Sequence, residues 1–106
     1  MQEQIKIDAV QYDYKQYDYN TTHYNFTIYV RNVGDTPVEI STVYILNSNN
    51  TVVDKHDVST DNVIKPGTVE EITITGVPDD KITEVIQIKV VTANGVEASY
   101  LLPLRS

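Results

Sequence analysis

Apolar and polar side chains alternate along most of this chain with the period of two that a half-buried β-strand requires. The pattern is clearest from Thr83 to Leu104, where two runs of Val, Ile, Tyr and Leu flank Asn94-Gly95. Asn-Gly between such runs is the strongest short-range hairpin signal. With Asn94 and Gly95 as the two central residues of a type I′ turn, Ala93 faces Val96, Val91 faces Ala98 and Val85 faces Leu104. Opposed residues share a face. Ile86, Ile88, Val90, Leu101 and Pro103 then form a core face. The opposite face carries Val85, Val91, Tyr100, Leu102 and Leu104, interrupted by Gln87 and Lys89. An outer face should be polar. Five such side chains would expose a few hundred Å², the upper end of what a monomer tolerates, which predicts a protein interface there.

The remaining chain reads as further short strands. Ile5, Ile7 and Ala9 alternate with Lys6, Asp8 and Val10, and Tyr24, Phe26, Ile28 and Val30 with Asn25, Thr27, Tyr29 and Arg31. Between them lies a tandem, Gln11-Tyr12-Asp13-Tyr14 and Gln16-Tyr17-Asp18-Tyr19, expected as a tyrosine-rich loop or strand edge. Asn32-Val33-Gly34-Asp35-Thr36-Pro37 is a turn by composition. The strand Val38 to Leu46 is apolar at both parities, so its inner face is open. Asn47 to Asn50 is a hairpin loop, Thr51 to Val58 a polar edge strand, and Pro66-Gly67 a turn into Val69 to Gly76. Seven strands with turns about every 8–12 residues predict one all-β domain over residues 1–106, an immunoglobulin-like β-sandwich of about seven antiparallel strands.

Composition narrows the function. The formal charge is −7, from 15 acidic and 8 basic residues, which disfavours nucleic acid and anionic membrane surfaces as partners. Without cysteine there is neither a disulfide framework nor a thiolate metal site. His23 and His56 have no ligand-spaced neighbours in sequence. Asp54, Asp57 and Asp61, and Asp79-Asp80, lack the Asp-x-Asp-x-Asp-Gly calcium loop. No nucleophile elbow, phosphate loop or dinucleotide fingerprint occurs. The reading is a non-enzyme with no metal and no cofactor.

Three sequons, at Asn20, Asn25 and Asn49, offer glycosylation sites and fit an exported protein. The tyrosines divide between strand packing and a recognition surface rimmed by Asp13 and Asp18.

Three segments carry a resemblance: Asn32-Val33-Gly34-Asp35-Thr36-Pro37-Val38-Glu39, Ile64-Lys65-Pro66-Gly67 before Ile72-Thr73-Ile74, and Val90-Val91-Thr92 before Gly95. Together they resemble exported archaeal β-sandwich domains, in particular the soluble domains of the archaellum stator proteins, F and G, and archaeal pilin-like proteins. The resemblance implies a non-enzymatic, extracytoplasmic module between membrane and surface layer. It also implies an N-terminal hydrophobic anchor helix, missing from this chain, and contacts with a like or paralogous subunit or a surface-layer protein. The alternative is a surface- or carbohydrate-binding accessory module of a larger exported protein, with Tyr12, Tyr14, Tyr17 and Tyr19 stacking on sugar rings.

Overall fold

The computed structural model describes residues 2–16, 22–58 and 63–104. The second tyrosine repeat from Tyr17, together with Asn20 and Asp61, lies outside the described residues. Among the described residues eight strands form two antiparallel sheets: β1 (Ile5–Gln16), β2 (Thr22–Asn32), β3 (Val38–Leu46), β4 (Val52–Asp57), β5 (Val63–Ile64), β6 (Val69–Pro78), β7 (Val85–Thr92) and β8 (Glu97–Pro103). One sheet has the order β1-β2-β6, the other β4-β3-β7-β8 with β5 pairing β3. A 3₁₀ turn, Asp79–Lys81, carries the chain from one sheet to the other. The molecule is elongated, 50 × 25 × 19 Å.

Both sheets contribute to one continuous core. Phe26, Ile28 and Val30 from β2 meet Ile86, Ile88 and Val90 from β7, all at 0 % exposure. These are the strands whose alternation runs unbroken in the sequence, and each buries the face that its pattern predicts.

Strands β1, β3, β4 and β6 carry β-bulges, and each bulge moves the apolar parity by one. In β1 the register slips between Ile7 and Ala9, so Val10 and Tyr12, not Ala9, face the core after Ile5 and Ile7. In β3 it slips between Ile40 and Thr42, so Val38 and Ile40 are followed inward by Val43 and Ile45. This explains the apolar character of β3 at both parities. On β6, Ile72 and Ile74 give way to Val77 across Gly76, whose φ of +73° suits glycine. The Asn25 side-chain oxygen accepts the Gly76 N–H at 3.0 Å, which ties that sequon asparagine to the bulge.

The closing hairpin corrects the predicted register. Its loop has three residues, not two: Thr92 N–H donates to Val96 O at 2.8 Å, and Gly95 N–H to Thr92 O at 3.0 Å. Gly95, at φ +89°, takes the left-handed position that ends such a loop. Val85 therefore opposes Pro103 rather than Leu104, and every β8 side chain changes face. Leu102 and Leu104 are core residues at 6 % and 7 % exposure, and Leu101, expected inside, is 68 % exposed. Tyr100 and Ala98 also turn inward, half-buried against the core. Pro103 is exposed. Asn-Gly specifies a hairpin, but with Ala93 as the additional loop residue Gly95 alone meets the left-handed requirement. The β3–β4 hairpin uses the same loop form, with Asn50 at φ 63° in place of the glycine.

Candidate interaction surface

The ends of the molecule differ in construction. At one end, Asn32 is completely buried and all three of its side-chain bonds are internal. Its amide nitrogen donates to Thr36 O and Ile64 O, each at 2.8 Å, and its amide oxygen accepts from Gly34 N at 2.9 Å. Its main chain adds two bonds, to Thr68 O and from Gly67 N. One side chain thus joins the Asn32–Pro37 turn to β5, and its backbone holds the Pro66-Gly67 turn. Two of the three segments that carried the family resemblance are physically one unit. Gly34 sits against the N-terminal segment: a Cβ there would lie 2.3 Å from Gln2 O and 2.8 Å from Gln4 N. Glu3 closes the same end by accepting from Thr92 Oγ1 at 3.0 Å and Asn94 Nδ2 at 2.7 Å, on the β7–β8 loop.

At the opposite end the outer face of the larger sheet is apolar. Val52 opposes Leu46, Leu46 opposes Gln87 and Gln87 opposes Leu101, so one row crosses all four strands on one face. Val85 and Pro103 form the next rung. Val52, Val85 and Leu101 are 50 %, 39 % and 68 % exposed. Leu46, in the middle of this row, is buried but lies outside the core cluster. A shallow groove beside the row is lined by Asn47, Ser48, Val85, Gln87 and Leu101. Ser48 N–H donates to Thr83 Oγ1 at 3.0 Å, which fixes the β3–β4 loop to the chain entering β7.

Of the five residues predicted for the interface, this arrangement keeps two on the outer face. Val85 is in the apolar row's neighbourhood; Val91 is half-buried at the other end, opposite Glu97 and Thr42. Tyr100, Leu102 and Leu104 leave it for the inner face, for the register reason given above. Leu101 and Val52 take their place. Leu101 was legible in sequence only through loop length, since its strand alternates apolar residues at both parities near its end.

The first tyrosine repeat lies on β1, the edge strand of the smaller sheet. Tyr12, Tyr24 and Phe26 pack together, with Tyr24 and Phe26 stacked at 5.8 Å, and Tyr14 meets Tyr24 at 4.7 Å. Tyr14 is 54 % exposed, and its hydroxyl donates to Asp79 Oδ2 at 2.9 Å. Thr22 Oγ1 donates to the same oxygen. These two bonds hold the Asp79 carboxyl below the ordinary aspartate pKa, and burial together with the nearby Tyr14, Tyr12 and Asp79 raises that of Tyr24. The cluster fastens the far end of the β1–β2 hairpin to the 3₁₀ turn. Among the described residues its one exposed ring is Tyr14.

Among the described residues no three His, Cys, Asp or Glu side chains gather where they could hold a metal. His23 is half-buried on β2, and His56, Asp57 and Lys55 are exposed on β4, with Asp54 half-buried beside them. Asn49 is exposed in the β3–β4 loop. Among the described residues no helix is long and apolar enough to cross a membrane.

No protein-family model and no curated protein matches the chain. Solved structures do. The archaellum periplasmic stator protein FlaG from Sulfolobus acidocaldarius superposes with a TM-score of 0.64 at 22 % identity, over 95 % of this chain and all of that one. A chain of the FlaF–FlaG stator complex from the same organism gives 0.67 at 23 %, over 96 % and 90 % of the two chains. The putative ApaA protein from Bordetella pertussis gives 0.54 at 17 %, over 96 % and 94 %. The chain therefore has the two-sheet, all-β fold that the archaellum stator proteins share.

Proposed function

We propose that this chain is a non-enzymatic interaction module of a cell envelope, which assembles with a like or paralogous subunit through the outer face of its larger sheet. The observation that carries the reading is the apolar row Val52–Leu46–Gln87–Leu101 with Val85 beside it. Leu101, at 68 % exposure, is a largely open leucine beside two half-exposed valines. The strand order supports an immunoglobulin-like sandwich, with β1-β2-β6 in the places of A, B and E and β3-β7-β8 in those of C, F and G. The fold similarity to FlaG and to the FlaF–FlaG complex favours an extracytoplasmic stator-type role, in which paired subunits link a motor to the envelope. A membrane anchor ahead of Gln2 would join at the Asn32 end and leave the apolar row pointing away from the membrane. The surface layer is then the neighbour on that side. The inward turn of Tyr12 takes one ring of four out of the sugar-stacking alternative.

Leu101→Glu tests the reading. An exposed position accepts the charge, so the melting temperature should stay within about 2 °C, because surface changes stay near ±0.5 kcal/mol. Light scattering should show the assembly, of the chain alone or with its paralogue, reduced to separate subunits. Unchanged mass on both counts would remove this face from the assembly.

A further inference from the structure

The chain offers three sequons, and the fold treats them differently. Asn25-Phe26-Thr27 lies in the middle of β2, between β1 on one side and β6 on the other. Its central residue, Phe26, is at 0 % exposure in the core. The Asn25 side-chain oxygen is already engaged by the Gly76 N–H. Presenting this triplet to an enzyme requires opening the smaller sheet, and core strands open only at a large fraction of the global unfolding free energy. Asn20 lies outside the described residues.

Asn49-Asn50-Thr51 runs through the β3–β4 loop, and all three residues are exposed. The loop is built by the asparagines on either side of Asn49. Asn47 Oδ1 accepts from Asn49 N–H at 2.9 Å and from Thr51 N–H at 3.1 Å, and Asn47 O accepts from Asn50 N–H at 3.0 Å. Asn50 supplies the left-handed residue, at φ 63°. Asn49 is the middle residue of the loop, and its side-chain amide makes no hydrogen bond among the described residues. Ser48 and Asn50 line the groove beside Leu101, whereas Asn49 does not. An asparagine with no structural task of its own, at a hairpin tip and two residues before an exposed threonine, has what this modification needs.

We infer that Asn49 is an N-glycosylation site of this chain and that Asn25, sequon though it is, serves the fold instead. The co-substrate is an oligosaccharide carried on a lipid diphosphate. Asn49 Nδ2 attacks C1 of the first sugar. The N–C1 bond forms as the bond from C1 to the diphosphate oxygen breaks, the diphosphate leaves on its lipid with the electron pair, and the amide proton passes to a base of the transferase. Because Asn49 does not line the groove, the sugar is attached outside it. That the reaction occurs in the cell rests on the extracytoplasmic reading above, since the modification belongs to exported chains. The accessibility of Asn49 does not rest on that reading.

The test uses the folded chain carrying Asn20→Gln, incubated with a purified oligosaccharyltransferase and its lipid-linked oligosaccharide. The enzyme is one that glycosylates both short peptides, residues 22–29 and 46–53, so that sequence preference drops out of the comparison. Mass spectrometry should find one glycan per folded chain, on Asn49. Asn49→Gln should abolish it, and so should Thr51→Ala, which keeps the asparagine and removes only the sequon hydroxyl. Asn25 in the folded chain should react about a thousandfold more slowly than in its peptide, because the small population of opened sheet limits the rate. A folded chain that takes no glycan, although peptide 46–53 does, would overturn the site and leave the envelope reading standing. Comparable rates at Asn25 and Asn49 in the folded chain would overturn the division of roles between them.

Discussion

The two ends of the molecule solve opposite problems with similar material. Both gather loops where strands finish, and both hold buried or half-buried polar groups. At the Asn32 end each side-chain bond of the buried amide runs inward: to Thr36, to Ile64 and from Gly34. Glu3 then draws the N-terminal segment onto the β7–β8 loop. That end is completed by its own chain. At the other end the polar bonds through Asp79 and Thr83 hold loops in place, yet Val52, Val85 and Leu101 stay exposed beside them. Rigid loops around an open apolar row are what a docking surface needs, because little ordering entropy remains to be lost on binding. On the proposed reading, the difference separates residues that complete the fold from residues left for a partner.

If that division is right, the largest effects on stability belong to the Asn32 end. Asn32→Leu fills a similar volume but leaves two buried carbonyls and one N–H without partners. Each such group costs about 1–3 kcal/mol, so a total loss of roughly 3 kcal/mol and a Tm lower by about 15 °C are expected. Urea or thermal melts measure it. A loss below about 1 kcal/mol, the worth of one ordinary hydrogen bond, would show the network to be dispensable and blur the contrast between the ends.

Gly34→Ala should cost less, because part of the strain can be relieved. The new methyl would meet backbone atoms of Gln2 and Gln4, and these sit in the N-terminal segment, which can move. Overpacking of this kind costs about 1–3 kcal/mol, and here it should act by displacing residues 2–4. The specific readout is faster amide exchange at Val33 and Asp35, which donate to Gln4 O and Gln2 O. Gly67→Ala makes the comparison sharper. A methyl there meets nothing within 4 Å, but φ is +79°, so its cost of about 1–2 kcal/mol is purely conformational. Exchange at Val33 should then be unchanged.

How far this division was legible in sequence depends on whether a strand is straight. Phe26, Ile28 and Val30, and Ile86, Ile88 and Val90, keep one parity throughout, and both faces could be read directly. At Asp8, Ser41 and Gly76 the backbone inserts a residue, and strict alternation then assigns the next stretch to the wrong face. The apolar residues at both parities of β3 were that signal, visible but ambiguous. The β7–β8 loop had the larger consequence. One added residue, Ala93, exchanged Leu101 and Pro103 for Leu102 and Leu104 in the core and thereby relocated the apolar patch. The existence of a surplus of apolar side chains on that hairpin was readable. Their identity was not, because Asn-Gly is compatible with loops of two and of three residues. The Asn32 network could not be read either, since beyond its local bonds to Gly34 and Thr36 it joins Asn32 to Ile64, 32 positions on, and to Thr68.

The smallest predicted effect lies at the open end and depends on pH. Asp79 accepts from Thr22 and Tyr14, and these two bonds lower its pKa in the folded chain. A depressed carboxyl contributes stability that is present above its unfolded value and is lost as pH falls through the folded one. The window is therefore acidic, beginning near the unfolded aspartate value of about 3.9 and extending below it. The carboxyl is open to solvent, so the contribution is small, and a difference measurement is required. In thermal melts, Asp79→Asn should melt slightly below the parent at pH 6, and the two should converge as pH falls through the lowered folded value, where the parent's carboxyl becomes neutral. Because these bonds anchor the end of the β1–β2 hairpin and not the core, the mutant should loosen Tyr14 locally, seen as altered tyrosine fluorescence, without weakening assembly through Leu101. A gap between parent and mutant that stays constant from pH 6 to below pH 3 would mean that the carboxylate charge contributes nothing at this end, and that shape alone holds the tyrosines in place.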